Sequence, residues 1–264
     1  GCIFRSEAGR KVAQWFMRVD PLASDFSSWT PYHYVHNNPL IHTDPTGMSA
    51  DDIIDIDKKT GSISVTKAEG DDVVRLLDGE NVKDSYTYGE NSSFLSENSV
   101  FKGEKSYFFG TSTIIKSKNP DNAEKLFKFA ANSDVEFGMI DTKEGSSFIT
   151  TSYEEAVTSS LPGLVKALSK MGYTGERQIH SHPGTITSYN ESLPSGYYDY
   201  EKGNPSSLMP DLTTYNGKRY GDALNATQVR RIKGFENTKF EVFAPGNNTK
   251  TTYDGVGRAR IQSN

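Results

Sequence analysis

The chain has 264 residues, 34% of them hydrophobic, with 23 glycines, 11 prolines and a formal net charge of −5; mean hydropathy is −0.61 and the pI is near 5.6. That length allows one large or two modest domains with an ample core, and no run approaches the roughly 18 apolar residues of a membrane-spanning helix. The acidic balance argues against a nucleic-acid binder that works by neutralising phosphates, and the single cysteine, Cys2, excludes an internal disulfide and a zinc site made of several cysteines.

Gly1-Cys2 has the look of a lipidation site without the apolar segment such a site follows. The expectation is a sequence that begins inside a longer gene, with export, in the absence of a secretory signal, through a specialised machine. Residues 1–48 alternate aromatics with Pro, Asn, Asp and Gly, the pattern of short strands joined by tight turns. Three histidines fall here, His33, His36 and His42, beside Tyr, Asn and Pro and without a carboxylate pair; a structural role is expected for them. The runs Phe16-Met17-Arg18-Val19-Asp20-Pro21-Leu22, Pro31-Tyr32-His33-Tyr34-Val35-His36-Asn37-Asn38-Pro39-Leu40 and Asp44-Pro45-Thr46-Gly47 resemble the C-terminal end of the Rhs/YD-repeat core, the shell of bacterial polymorphic toxins. The resemblance implies that Asp20 and Asp44 correspond to self-cleaving aspartates, that a toxin domain follows, and that the secretion machinery is reached through the Rhs core.

Residues 49–118 read as β structure: Ile53–Asp57 and Ser62–Thr66 flank Lys58-Lys59-Thr60-Gly61, and Val73–Leu77 and Ser85–Tyr88 flank Asp78-Gly79, both hairpin signals. Asp51, Asp52, Asp55 and Asp57 lack the spacing and closing Glu of a calcium loop, so a solvated strand face is expected. From 119 the pattern changes. Asn119-Pro120-Asp121 can start a helix continued by Ala123, Leu126, Phe127 and Ala130. Val135–Ile140 and Phe148–Thr151 read as strands, and Ser160 and Pro162 open a helix whose stripe is Leu161, Leu164, Val165, Leu168 and Met171. A strand Gln178-Ile179-His180-Ser181-His182 follows, then a polar, Tyr-rich loop to about Tyr220. A helix over Ala223–Ile232 and a hairpin of Lys239–Phe243 with Lys250–Tyr253 end the pattern. The order gives an α/β layered domain over 119–264, after a remnant over 1–48 and a β-rich part over 49–118.

His180 and His182 alternate onto one strand face, and two neutral imidazoles supply half of a tetrahedral zinc site. A hydrolytic site needs a third ligand and a carboxylate that takes a proton from water without binding the metal. Glu136, an acid interrupting an apolar strand, is the candidate base; the bland reading is an outward-facing acid on an edge strand. Asp199, Asp211 and Asp222 compete for the third ligand. Asp222, at a helix start, is favoured, with Asp199 second; N-cap duty is the plain alternative for Asp222.

Glu136, His180-Ser181-His182-Pro183, Pro194-Ser195 and Gly221-Asp222 together resemble the JAB/MPN (JAMM) metalloprotease family, especially the JAB-like toxin domains of Rhs proteins. The resemblance implies a JAB/MPN-like (cytidine-deaminase-like) mixed sheet flanked by helices and a zinc peptidase or isopeptidase. Its implied ligands are His180, His182 and Asp222, with Glu136 as general base and Ser195 as an oxyanion donor. It further implies a protein substrate in a target cell and a cognate immunity protein. The family places its Ser and Asp close together after H-x-H-P, whereas Ser195 and Asp222 are far apart here, so the segment between them reads as an insertion, and the Tyr-rich loop 185–220 can select the substrate. The competing readings are a metal-dependent nuclease toxin and a catalytically inactive JAB-fold binding module.

Overall fold

The structure of the protein, a computed structural model, describes residues 3–8, 11–16, 51–68, 72–88, 94–106, 110–155, 158, 160–183, 189–201, 208–212 and 216–263. Strands β1 (Ile3–Ala8) and β2 (Lys11–Phe16) pair antiparallel. Strands β3 (Asp51–Asp57), β4 (Ile63–Ala68), β5 (Val73–Asp78) and β6 (Asn81–Thr87) form a four-stranded sheet of order β4-β3-β5-β6, and the one-turn helix α1 (Phe94–Glu97) follows. The Rhs/YD-like runs beyond Phe16, with Asp20, Asp44, His33, His36 and His42, lie outside the described residues.

By contact the chain divides into a unit of Gly1–Asp55, Ser64–Arg75 and Ser85–Glu97 and a larger unit of Ile56–Ile63, Leu76–Asp84 and Asn98–Asn264. In the first, the buried carboxylate of Asp72 accepts the Asp52 N–H at 2.6 Å and the Phe94 N–H, and the Tyr88 ring meets Phe94 edge-on at 5.1 Å. The acids of β3 depart from the solvated face expected of them. Asp52 alternates onto the same side as Ile54 and Ile56 and is buried with them, while Asp55 binds the Arg75 guanidinium at 2.6 and 2.8 Å. Strand alternation, with period 2, sets which acid goes inward.

The larger unit is built on an eight-stranded mixed sheet. In chain order its elements are β7 (Asn98–Ser106), β8 (Gly110–Ser117), helix α2 (Pro120–Ala130), β9 (Phe137–Thr142), β10 (Ser147–Thr151), helix α3 (Ser160–Lys170) and β11 (Gly175–Ser181). The short ribbon β12 (Tyr197–Asp199) and β13 (Leu208–Pro210), helix α4 (Gly221–Val229), β14 (Lys239–Ala244), β15 (Thr249–Tyr253) and β16 (Arg260–Ser263) complete it. The strand order is β16-β15-β14-β11-β9-β10-β8-β7, so residues 98–117 belong to the same sheet as the histidine pair. Every pairing is antiparallel except β11 with β14.

Helices cover both faces. Asn119 caps α2, its side-chain oxygen accepting the Asn122 N–H at 3.2 Å, with Pro120 in the first turn where its missing N–H costs nothing. The buried Phe127 of α2 meets Phe243 at 6.2 Å. On the opposite face Leu161, Leu164, Val165 and Leu168 of α3 and Ala223, Ala226 and Val229 of α4 form one core with Ile140, Phe240, Val242 and Tyr253. Residues 178, 180 and 182 turn to this second face, because they pair with or alternate from Ile140 and Phe240.

Two boundaries differ from expectation. The stripe of α3 ends at Leu168, because Gly172 takes φ +87 and lets the Tyr173 N–H return to the Leu168 carbonyl at 3.0 Å, a left-handed stop for which glycine is suited. Met171 is left 63% exposed. Strand β9 begins at Phe137, one residue after Glu136, whose N–H donates to the Glu154 carbonyl at 2.8 Å rather than to the ladder.

Candidate metal centre

His180 sits one residue from the end of β11, and His182 lies just past it, its N–H bonded to the Phe243 carbonyl at 2.9 Å. Alternation brings the two rings to 5.3 Å on one side of the sheet, while Ser181 between them points away and accepts the Phe137 N–H at 3.0 Å. His182 Nδ1–H donates to the Glu191 carbonyl at 2.8 Å, which fixes the tautomer and leaves Nε2 with its lone pair. Glu191 belongs to the 3-10 turn Tyr189–Ser192, which is held to β15: Thr251 Oγ1 donates to the Ser192 carbonyl at 2.6 Å, and the Ser192 and Thr249 hydroxyls stand 2.7 Å apart.

Asp222 enters from the first turn of α4, where Tyr220, not Asp222, is the N-cap. Its Oδ2 lies 3.2 Å from His180 Nε2 and accepts the Ser195 N–H at 2.7 Å. In return the Asp222 N–H reaches both the Ser195 carbonyl at 2.9 Å and the Ser195 Oγ at 3.0 Å. The segment between Ser195 and Asp222 therefore leaves and re-enters through a narrow neck. Gly196 (φ +81) and Gly221 (φ +53) stand there, and a Cβ on either would fall 2.2 Å from the Tyr220 carbonyl oxygen or 2.3 Å from Ser195 Oγ. Asp211 is buried inside this segment, accepting the Tyr220 hydroxyl at 3.1 Å, and Asp199 lies on β12 with its Oδ1 accepting the Glu201 N–H at 3.1 Å.

Glu136 is only 6% exposed, and its Oε2 accepts the Thr158 hydroxyl at 3.1 Å. It shares a pocket of about 290 Å3 with Thr158, His180, His182, Ser195 and Asp222. Burial pushes its carboxyl up to about 7, against the pull of His180 and with a further push from Asp222. Burial alone would lower His180, but the Asp222 carboxylate outweighs it and holds the imidazole up at about 9. Burial and the neighbouring charge of His180 depress His182 to about 4. Burial would raise Asp222, and the charge and hydrogen bond of His180 hold it below the usual carboxylate range.

Among the described residues, His180, His182 and Asp222 are the group of His, Cys, Asp or Glu whose ligand atoms converge, all within 4.8 Å of one another, and they can hold a metal ion. Asp199 and Asp211 are outside that group. The sequence reading passed over Thr158, the Glu191 carbonyl and Gln178. The last is a pocket-lining side chain, 2% exposed, whose amide nitrogen and oxygen find no hydrogen-bond partner among the described residues.

Residues 115–227 match the family model of JAB-like toxin 1. No curated protein and no solved structure matches the chain. The JAB-like toxin 1 match supports a JAB-like toxin domain in this stretch, and it spans Glu136, His180, His182, Ser195 and Asp222. The mixed sheet with few helices is compatible with a JAB-like toxin domain, and the His-His-Asp group is consistent with a metal site in one. Among the described residues no helix is long and apolar enough to cross a membrane.

Proposed function

We propose that this chain carries a zinc-dependent peptidase or isopeptidase toxin domain, borne by an Rhs-type polymorphic effector that a specialised secretion system exports into a target cell. The observation that carries this reading is the buried carboxyl of Glu136, set in one pocket with two imidazoles and a carboxylate whose ligand atoms converge. His180, His182 and Asp222, whose ligand atoms lie within 4.8 Å of one another, would hold the ion. Two nitrogens and one oxygen leave a fourth position open, the donor set of hydrolytic rather than structural zinc. The ion, when bound, supplies Lewis acidity that polarises an amide carbonyl and makes water acidic near neutral pH.

The chain's own groups supply the rest. Glu136, with Oε2 held by Thr158, takes the proton of the attacking water on Oε1 and returns it to the leaving amide nitrogen. Its raised pKa, about 7, places it where a group that both accepts and returns a proton works best. The Ser195 hydroxyl accepts the Asp222 N–H, so its own hydrogen remains to donate to the carbonyl oxygen as negative charge develops there. The Tyr-rich segment 185–220 selects the protein substrate, and a cognate immunity protein covers the pocket in the producing cell.

The test is metal analysis of the purified chain together with incubation against peptide, isopeptide, DNA and RNA substrates. Zinc retained and amide cleavage lost in Glu136→Gln support the reading. Degraded nucleic acid beside intact protein replaces it with a nuclease, and zinc content unaffected by His180→Ala replaces it with a non-catalytic binding module.

A further inference from the structure

The hairpin tip between β3 and β4 touches the chain on both sides of Glu136. Asp57 builds this tip: its Oδ1 accepts the N–H groups of Lys59 at 3.0 Å and Thr60 at 2.7 Å, and its carbonyl accepts the Gly61 N–H at 2.8 Å. The tip grips the approach to β9 at three points. The Lys58 carbonyl accepts the Asp134 N–H at 2.7 Å, and the Lys58 ammonium pairs with the Asp134 carboxylate. Gly61, at φ +66, lies so close to Val135 that a Cβ would stand 2.3 Å from Val135 Cγ2 and 3.3 Å from Phe137 Cε2. Val135 and Phe137 are both buried.

On its other side the same stretch is held by one main-chain and one side-chain donor: the Glu136 N–H donates to the Glu154 carbonyl at 2.8 Å, and the Thr151 hydroxyl donates to the Glu136 carbonyl at 2.9 Å. Glu136 stands before the strand ladder begins, so the ladder does not fix its backbone. From this we infer that the Asp57–Gly61 tip is a positioning element for Glu136, clamping residues 134, 135 and 137 so that the carboxyl between them faces the histidine pair.

The inference rests on the reading of Glu136 as the base, and it gives Lys58 and Gly61 a part in that site through contacts with Asp134, 76 positions downstream of Lys58, and with Val135. A displacement of the order of 1 Å at a reacting group can cost about 10²-fold in rate, so a tip that sets the backbone of 135–137 sets the turnover. It does not touch His180, His182 or Asp222.

The experiment follows backbone amide exchange by NMR in the full chain, without metal, for wild type, Gly61→Ala and Lys58→Met. Faster exchange confined to Glu136 and Phe137, by about tenfold or more, with Ile179 and His180 unchanged, is the expected result. Activity of the zinc-loaded chain should show kcat falling with KM and zinc affinity held. Unchanged exchange at Glu136 and Phe137 in a folded variant overturns the inference. So does acceleration spread evenly over the sheet, which marks general destabilisation. Lys58→Met alters no backbone conformation and keeps the test valid if Gly61→Ala fails to fold. Should the wild type cleave no amide bond, the reading of Glu136 as base fails, while the exchange pattern still decides whether the tip orders it.

Discussion

Ser195 and Asp222 hold each other in both directions across the neck of the segment between them. The Ser195 N–H donates to Asp222 Oδ2 at 2.7 Å, and the Asp222 N–H donates back to Ser195 Oγ at 3.0 Å. One residue orients a carboxylate of the candidate metal centre and tethers the first turn of the helix that carries it. Ser195→Ala keeps the N–H and the carbonyl and loses only the hydroxyl. Zinc affinity should therefore hold, while kcat falls by about 10²-fold or more if the hydroxyl serves the oxyanion. Titration of zinc beside steady-state kinetics separates the two.

Metal binding should release a proton. His180 is held protonated up to about 9 by Asp222, yet a ligand imidazole must be neutral. His182, depressed to about 4, and Asp222 are already in ligand form at pH 7. Calorimetry in two buffers of different ionisation enthalpy should give about one proton released at pH 7, and affinity should climb about tenfold per pH unit up to about 9. A release near zero, or affinity flat with pH, would contradict the His180–Asp222 pairing.

Glu136→Gln should abolish turnover and stabilise the metal-free fold at high pH. The folded pKa of Glu136 is raised, from 4.5 to about 7, so the folded state penalises the charged form. That penalty is absent below about 4.5, grows between 4.5 and 7, and is complete above 7. At 1.36 kcal/mol per unit the penalty is about 3 kcal/mol at pH 8. Denaturant unfolding of wild type and variant should show a gap of this size at pH 8 and almost none at pH 4.

Gln178→Met should also stabilise the protein. An unpaired buried amide costs about 1–3 kcal/mol, and an apolar side chain of similar shape removes that cost. Urea midpoints at constant m-value measure it; a loss of stability would mean that ordered water satisfies the amide.

Arg177 binds three carboxylates, Asp141 at 2.7 Å, Glu124 at 2.7 Å and Glu241 at 3.3 Å, and its side chain is 17% exposed. Arg177→Met leaves those acids facing one another and should cost about 3–5 kcal/mol, seen as a lower melting temperature that recovers as pH falls.

Much of the larger unit is legible in the sequence because its signals are local. Asn119-Pro120 marks the start of α2, Leu161 to Leu168 gives the stripe of α3, and the alternation of His180 and His182 sets them on one face. Other features depend on partners distant in the chain. Strand β16 (Arg260-Ile261-Gln262-Ser263) is polar and largely exposed, held by main-chain pairing to β15, so no hydrophobic alternation announces it. Strands β7 and β8 read as β structure, but nothing local shows that they extend the sheet of the histidine pair. The Glu136 environment is the clearest case, because the hairpin tip of Lys58 and Gly61, Thr151 and Thr158 meet there from three segments. Asp222 could be ranked among three aspartates by its helix start, yet its meeting with Ser195 depends on how residues 196–220 close.

The neck at Gly196 and Gly221 fixes both ends of the segment between them, and the interior of the segment is tied in as well. The Gly196 carbonyl accepts the Asp211 N–H at 2.8 Å, the Tyr220 hydroxyl donates to the Asp211 carboxylate, and Tyr197 and Leu208 are buried in the core that holds Ala223. Sequence change within the segment that spares Tyr197, Leu208 and Asp211 therefore leaves Asp222 in place beside His180, and an engineer who wished to vary the segment would work between those three anchors.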